Sequence, residues 1–131
     1  MFLLDTNTLI YFFKDLGNVA DNLLSKSPKD IAVPSIALYE LEVGAAKSAK
    51  PMKRKKQIAS LVSLLKIIPF GEKEAEESAK LRAELESIGK PIGPYDTLIA
   101  GTAISSNFVL VTHNTKEFSR VKKLKLEDWY K

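Results

Sequence analysis

Two acidic residues of this chain lie on helical faces that are otherwise apolar. Glu40 interrupts the apolar stripe of its segment, and Asp96 shares its face with Ile99 and Ala100. Burying a lone carboxylate costs several kcal/mol unless something pairs it, so two carboxylates directed at one core edge call for a cation. The chain has no Cys and a single His. The natural cation is therefore a hard one, Mg²⁺ or Mn²⁺, which takes oxygen ligands and suits phosphate substrates.

Further polar side chains follow the apolar runs that we expect to form strands. Asp5 directly follows the first run, and Asn114 and Glu117 come shortly after the run that ends at Thr112. In open parallel sheets the active crevice lies beyond the carboxyl ends of the strands. We therefore expect these residues and the two helical acids to meet at one edge of a sheet, although they are far apart in sequence.

Each acid also has a purely structural interpretation. Asp5 could cap the helix that follows it, a role that Thr6 or Asn7 could equally fill. Asp96 could offset the dipole of its helix. Glu42 rivals Glu40, because apolar residues flank it on its own helical stripe, and periodicity prefers Glu40 only slightly.

The elements that must position these acids alternate between short apolar runs and longer helical patterns. The runs predict strands at Phe2–Leu4, Ile31–Val33, Ile67–Pro69, Phe108–Thr112 and, weakly, Leu124–Leu126. The patterns predict helices at Leu9–Phe13, Val19–Leu24, Ser35–Lys47, Pro51–Leu65, Glu72–Ile88 and Pro94–Ser106. In the fifth helix, we expect one buried side made of Ala75, Ala79, Leu81, Leu85 and Ile88. This alternation predicts an α/β fold, a three-layer α/β/α sandwich around a mainly parallel sheet.

Composition limits the possible classes of protein. The 131 residues are 45% hydrophobic and 27% charged, which fits one globular domain spanning residues 1–131. The absence of Cys excludes disulfides, thiolate zinc sites and a cysteine nucleophile. No apolar run reaches the ~18 residues that a membrane helix requires. Asp5 follows the first apolar run with no basic segment before it, so we expect a cytoplasmic protein.

Four motifs in order resemble a known family over essentially the whole chain. They are Leu3-Leu4-Asp5-Thr6-Asn7, Leu38-Tyr39-Glu40-Leu41 with Gly44, Pro91-Ile92-Gly93-Pro94-Tyr95-Asp96 with Leu98-Ile99-Ala100, and Thr112-His113-Asn114-Thr115-Lys116-Glu117-Phe118, with Leu126-Glu127-Asp128-Trp129 closing the chain. Together they resemble the PIN-domain ribonucleases of the VapC toxin type. The resemblance implies a metal-dependent endoribonuclease and toxin of a toxin–antitoxin pair. It further implies a homodimer and a cognate antitoxin whose C-terminal segment covers the active cleft.

The resemblance also assigns roles to residues. It implies that Asp5, Glu40 and Asp96 are the acidic ligands of the metal ion, which settles Glu40 over Glu42. Thr112 matches a hydroxyl that supports the site, and Thr6 and Asn7 are candidates for fixing carboxylate rotamers. Asn114 stands where many members have Asp, which lowers the negative charge and leaves one or two metal ions open. Glu117 then contributes directly or through water to the hydrolysis of an RNA phosphodiester by a metal-activated water.

Charge and apolar residues are unevenly distributed along the chain. Between Glu42 and Glu72 there are seven bases and no acid. The cluster Lys53, Arg54, Lys55 and Lys56 is either a solvated helix face or a contact for RNA phosphates. The apolar stretches Tyr11–Phe13 and Leu61–Leu65 are either ordinary core or part of a dimer interface or antitoxin groove. His113 is either an exposed loop residue or a substrate contact.

Two rival functions remain. A phosphatase with an Asp nucleophile typically needs a second acid two residues later, where this chain has Asn7. A non-catalytic RNA- or protein-binding module on the same scaffold is the more serious alternative, because Asn114 weakens the site. Metal-dependent RNA cleavage separates these readings from a nuclease.

Overall fold

In the computed structural model, which describes residues 1–131, five parallel strands form one sheet in the order β3-β2-β1-β4-β5. The strands are β1 Phe2–Leu4, β2 Ile31–Pro34, β3 Lys66–Ile68, β4 Val109–Val111 and β5 Leu126–Glu127. In the register of the central strand, Phe2 lies opposite Ile31 on one side and Val109 on the other. All five predicted strands are therefore confirmed, with ends that move by one or two residues.

Seven helices and one short 3-10 turn connect the strands. They are α1 Thr6–Lys14, α2 Val19–Leu24, the turn Pro28–Asp30, α3 Ser35–Lys47, α4 Pro51–Val62, α5 Glu72–Ser87, α6 Pro94–Ser106 and α7 Thr115–Phe118. The predicted helices are confirmed, except that α1 begins at Thr6 rather than Leu9 and α4 ends at Val62 rather than Leu65. The short helix α7 was not expected. The sheet flanked by helices confirms the α/β/α architecture.

The inner strands are covered on both faces. Leu3, Leu4, Val33, Leu110 and Val111 have no exposed surface. Such continuous burial is typical of a parallel sheet whose crossover helices cover both faces. No helix of the structure has the length and apolar character needed to cross a membrane.

The predicted buried side of α5 is wrong at three of its five positions. Ala75, Ala79 and Ile88 are exposed, and Ser78 joins Leu81 and Leu85 in the buried face. The reason is the close contact with α6, where a Cβ on Gly101 would lie 2.9 Å from the Cα of Ser78. The two helices therefore touch at Gly101 and Ser78, while Ala75 and Ala79 remain exposed.

Candidate active site

The four predicted acids lie at the edge of the sheet that is formed by the carboxyl ends of the strands. Asp5 follows β1 directly, and Glu117 lies in α7, just beyond β4. Glu40 lies in α3, which begins immediately after β2, and Asp96 is the third residue of α6. Strand direction therefore gathers residues that are as much as 112 positions apart in the chain.

Asp5 is the most deeply buried of these acids, with 3% of its surface exposed. One carboxylate oxygen accepts a hydrogen bond of 2.9 Å from the backbone N–H of Thr8, so Asp5 is itself the N-cap of α1. The expectation that Thr6 or Asn7 caps this helix is therefore wrong. Burial raises the pKa of the Asp5 carboxyl, and hydrogen bonds to Thr112 and Thr8 partly oppose that rise. Capping and a place in the site are thus two roles of one carboxylate.

Glu40 is tied to α1 through a threonine. The hydroxyl of Thr6 donates a hydrogen bond of 2.6 Å to Oε1 of Glu40. Glu42 lies two positions further along α3, about 200° around the helix, and so projects from a different side. The structure thus brings Glu40, and not Glu42, to the residue next to Asp5, and it leaves Asn7 exposed.

Both oxygens of Glu117 are held by neighbouring groups. The backbone N–H of Gly93 donates to Oε1 at 2.9 Å, and the amide of Asn114 donates to Oε2 at 2.8 Å. These bonds lower the pKa of Glu117. The hydroxyl of Thr112 accepts a bond of 3.0 Å from the backbone N–H of Asn114, which fixes the start of this loop. Glu117 is therefore ionised and oriented, and Asn114 is its orienting partner.

Asp96 is the acid whose pKa is affected by all three of the other carboxylates. Burial, followed by the negative charges of Asp5, Glu117 and Glu40, raises the pKa of Asp96 to about 6. A Cβ on Gly93 would lie 3.6 Å from Oδ2 of Asp96 and 4.0 Å from Oε1 of Glu117. A side chain would fit at these distances, so what Gly93 contributes is its backbone N–H, which holds Glu117 close to Asp96.

The donor set fits a hard divalent cation. Its ligands are carboxylate oxygens, with no sulfur or imidazole among them, and their mutual repulsion is what a bound cation would relieve. However, no three Asp, Glu or His side chains come close enough to hold one ion as they stand. The structure thus brings the predicted ligands to one edge of the sheet but does not close them into a coordination sphere.

The predicted RNA-binding cluster lies on α4. Lys53, Arg54, Lys55 and Lys56 are all exposed. Arg54 and Glu40 line the same cavity of about 350 Å³ between α1, α3 and α4. Of the four bases on this basic face of α4, Arg54 therefore adjoins the acidic site.

The two apolar stretches are only partly absorbed by the core. Leu61 is buried, whereas Leu64 is 66% exposed. Phe12, Phe13, Leu61 and Leu64 line a groove between α1 and α4, together with Lys53 and Lys56. Phe12, Phe13, Val62 and Leu65 also pack against the core, so the core interpretation holds for most of the two stretches and the groove stays a prediction.

His113 belongs to the packing of the chain's C-terminal end. Its Nδ1 lies 3.0 Å from a carboxylate oxygen of Asp128, and its ring stacks on that of Tyr130 at 4.1 Å between centroids. His113 is thus a loop residue whose side chain is still 37% exposed but packed on one side, and a contact with substrate stays a prediction. Its partners are far from it in sequence, and no spacing pattern could have identified them.

Comparison with known proteins finds similar chains over nearly the whole length of this one. The family model described as PIN domain matches residues 2–124. The chain is 36% identical over 128 residues to tRNA(fMet)-specific endonuclease VapC of Salmonella typhimurium, covering 98% of this chain and 97% of the relative. It is 40% identical over 133 residues to Ribonuclease VapC2 of Rickettsia felis, covering 100% and 99%. The crystal structure of VapBC2 from Rickettsia felis, bound to a promoter DNA fragment, aligns with a TM-score of 0.91 and 39% identity over 98% of both chains.

Proposed function

We propose that this chain, which belongs to the PIN-domain family of VapC ribonucleases, cleaves RNA phosphodiester bonds with the help of Mg²⁺ or Mn²⁺. It is an endoribonuclease and the toxin of a toxin–antitoxin pair. The observation that supports the metal-dependent step is the raised pKa of Asp96 among three other carboxylates. Its pKa is raised to about 6 by burial and by three neighbouring carboxylates, and carboxyl groups perturbed in this way mark candidate functional sites.

Asp5, Asp96 and Glu40 are the proposed metal ligands. A divalent cation held there would lower the pKa of a bound water and stabilise charge on the phosphate oxygens. Thr6 holds the carboxylate of Glu40 in one orientation, and Thr8 and Thr112 do the same for Asp5. These bonds orient Glu40 and Asp5 before RNA arrives, and the acids must still draw closer together to share one ion.

Glu117 completes the proposed site. Because its pKa is lowered, it is ionised at neutral pH and can accept a proton from, or hydrogen-bond to, the attacking water. Asn114 adds no negative charge beside it. This arrangement supports a single tightly held cation in preference to two.

The test of this function is cleavage by the purified, antitoxin-free chain. With Mg²⁺ present we expect bulk bacterial RNA to be cut at discrete sites, and an excess of EDTA to stop the cutting. Adding Mg²⁺ back should restore it. Retention of RNA without turnover under all of these conditions would favour the binding-module alternative and overturn the nuclease proposal.

The basic face of α4 is proposed to bind RNA phosphates. Replacing Lys53, Arg54, Lys55 and Lys56 with Gln should weaken RNA binding and flatten its dependence on salt. For four lost contacts to a single strand, the slope of log affinity against log salt should fall by up to about 3. Fluorescence anisotropy with labelled RNA over a salt series measures both quantities.

A matched variant separates this effect from the loss of net charge. Lys80, Lys122, Lys123 and Lys125 are also exposed and lie away from the α1–α4 groove. Replacing these four with Gln removes the same charge, and we expect it to leave most of the slope intact. Equal slopes for the two quadruple variants would reject the α4 face as the RNA contact.

The proposed partners are a cognate antitoxin, a second copy of this chain and the hetero-oligomer that they form. Several chains that align with this one were solved as VapBC toxin–antitoxin complexes. The groove lined by Phe12, Phe13, Leu61 and Leu64 has Lys53 and Lys56 at its rim. Such a groove suits an amphipathic segment with apolar and acidic residues.

A further inference from the structure

Two large aromatic side chains lie exposed beside the acidic site. Tyr39 is 53% exposed and Tyr95 is 42% exposed. They come from different helices, α3 and α6, yet their ring centroids are 5.8 Å apart with an angle of 61° between the planes. Each immediately precedes a proposed metal ligand in sequence. The fold therefore places a pair of aromatic rings at the margin of the site.

The other two tyrosines of the chain, Tyr11 and Tyr130, are packed against neighbouring rings. Tyr11 and Tyr130 pack edge-to-face at 4.9 Å, and both contact the ring of His113. By contrast, the only aromatic ring that Tyr39 contacts is that of Tyr95.

The surroundings of this pair restrict what it can bind. The four carboxylates repel an RNA backbone, and a contact that carries no charge adds affinity at this point without adding to that repulsion. An aromatic face supplies such a contact, because any base can stack on it. The angle between the rings makes a corner in which a base stacked on one ring meets the edge of the other.

We propose that Tyr39 and Tyr95 form a stacking platform for a base of the RNA next to the bond that is cut. This inference rests on the proposed ribonuclease function. The two tyrosines are positioning residues: they hold the nucleotide so that its phosphate lies at the acids, and they take no part in proton transfer. Stacking on tyrosine tolerates any base, so the platform fixes position more than sequence.

The test pairs tyrosine variants with RNA that lacks single bases. The probe is a synthetic RNA oligonucleotide spanning a bond that the wild-type chain cuts in bulk RNA, together with versions made abasic at each position flanking that bond. Tyr95→Ala and Tyr39→Ala should each lower kcat/KM on intact RNA by roughly 5-fold to 100-fold, the range expected for one stacked base. Tyr95→Phe and Tyr39→Phe, which keep the ring, should restore most of it.

The abasic substrates distinguish stacking from a general structural role. One abasic position should lower kcat/KM for the wild-type chain and have much less effect on Tyr95→Ala, because the same contact is lost either way. Leu24→Ala, a change at a residue that is 73% exposed on α2, is the control and should show the full abasic effect. Equal abasic effects in wild type and both alanine variants, at every position, would overturn the proposal.

Two other results have separate meanings. If the alanine variants sediment as a smaller species than wild type and the abasic effects are unchanged, the pair is a contact between copies of this chain, and the platform is wrong. If the wild-type chain cuts no RNA at all, the proposed function itself fails. Cleavage by wild type with equal abasic effects rejects the platform alone.

Discussion

Asp5→Asn is expected to lower the rate of RNA cleavage at saturating Mg²⁺ by at least about 100-fold. A cation in a nuclease site contributes several kcal/mol of charge stabilisation in the transition state, and each 1.36 kcal/mol or so corresponds to about tenfold in rate. The substitution removes the most buried negative charge of the proposed ligand set. Single-turnover cleavage of end-labelled RNA measures the change.

The fold should survive this substitution. The side-chain oxygen of Asn can still accept the hydrogen bond from the backbone N–H of Thr8 that caps α1. Burial raises the pKa of Asp5, so a neutral side chain of the same shape removes a desolvation cost. We therefore expect a melting temperature equal to or above that of the metal-free wild type. A loss of activity with an intact fold would then show that the Asp5 carboxylate is needed for the cleavage step itself.

A matched acid provides the control. Glu42→Gln removes one negative charge from α3, two positions from Glu40 and on a different side of the helix. It should leave the cleavage rate within about twofold of wild type, as expected for a surface charge outside the site. Wild-type cleavage by Asp5→Asn, or an equal loss in Glu42→Gln, would contradict the assignment of the site.

The strands were predictable because each is a short apolar run bounded by breakers or charges. Asp5 ends β1, and Pro69 follows β3. The helices with a proline at the first turn, Pro51 and Pro94, also began where the sequence predicts. Strand direction then gave the edge of the sheet at which to search. These features depend on local residue types, which is why the sequence alone was sufficient for them.

The errors arose where a tertiary contact decides the outcome. Ser78 is buried because Gly101 lets α6 approach closely, and periodicity within α5 carries no information about Gly101. The pairing of His113 with Asp128 and the place of Gly93 beside two carboxylates depend on loop geometry in the same way. Glu40 and Asp96 were found because a charge on an apolar helical face is anomalous locally, and Asp5 and Glu117 because they follow predicted strands. The groups that hydrogen-bond to these acids are common polar residues and backbone N–H groups, and no local sequence pattern distinguishes them.

Asp96→Asn is expected to stabilise the metal-free chain at neutral pH and to remove most of the stabilisation that Mg²⁺ gives. The folded-state pKa of Asp96 is about 6, above its ordinary value of 3.8. The folded state therefore binds the proton more tightly than the unfolded state does. Its contribution to stability is present below about pH 4 and is lost as the pH rises through about 6.

The variant should accordingly show a smaller loss of unfolding free energy between pH 4 and pH 7 in EDTA than wild type does. Some loss should remain, because the pKa of Asp5 is raised as well. Since Asp96 is partly solvent-exposed, the gain should be modest. Urea unfolding followed by circular dichroism at several pH values measures it. A variant that is less stable than wild type throughout this range would contradict the view that charge repulsion destabilises the site.

Adding Mg²⁺ should reverse the order of the two proteins. A ligand present at 100 times its dissociation constant stabilises the state that binds it by about 2.7 kcal/mol. Wild type has the three proposed ligands and should gain an amount of this order, whereas Asp96→Asn lacks one of them and should gain little. If the variant is the more stable protein without Mg²⁺ and wild type is the more stable one with it, the cation relieves the repulsion among the acids. Equal Mg²⁺ stabilisation of both proteins would place the ion elsewhere on the molecule.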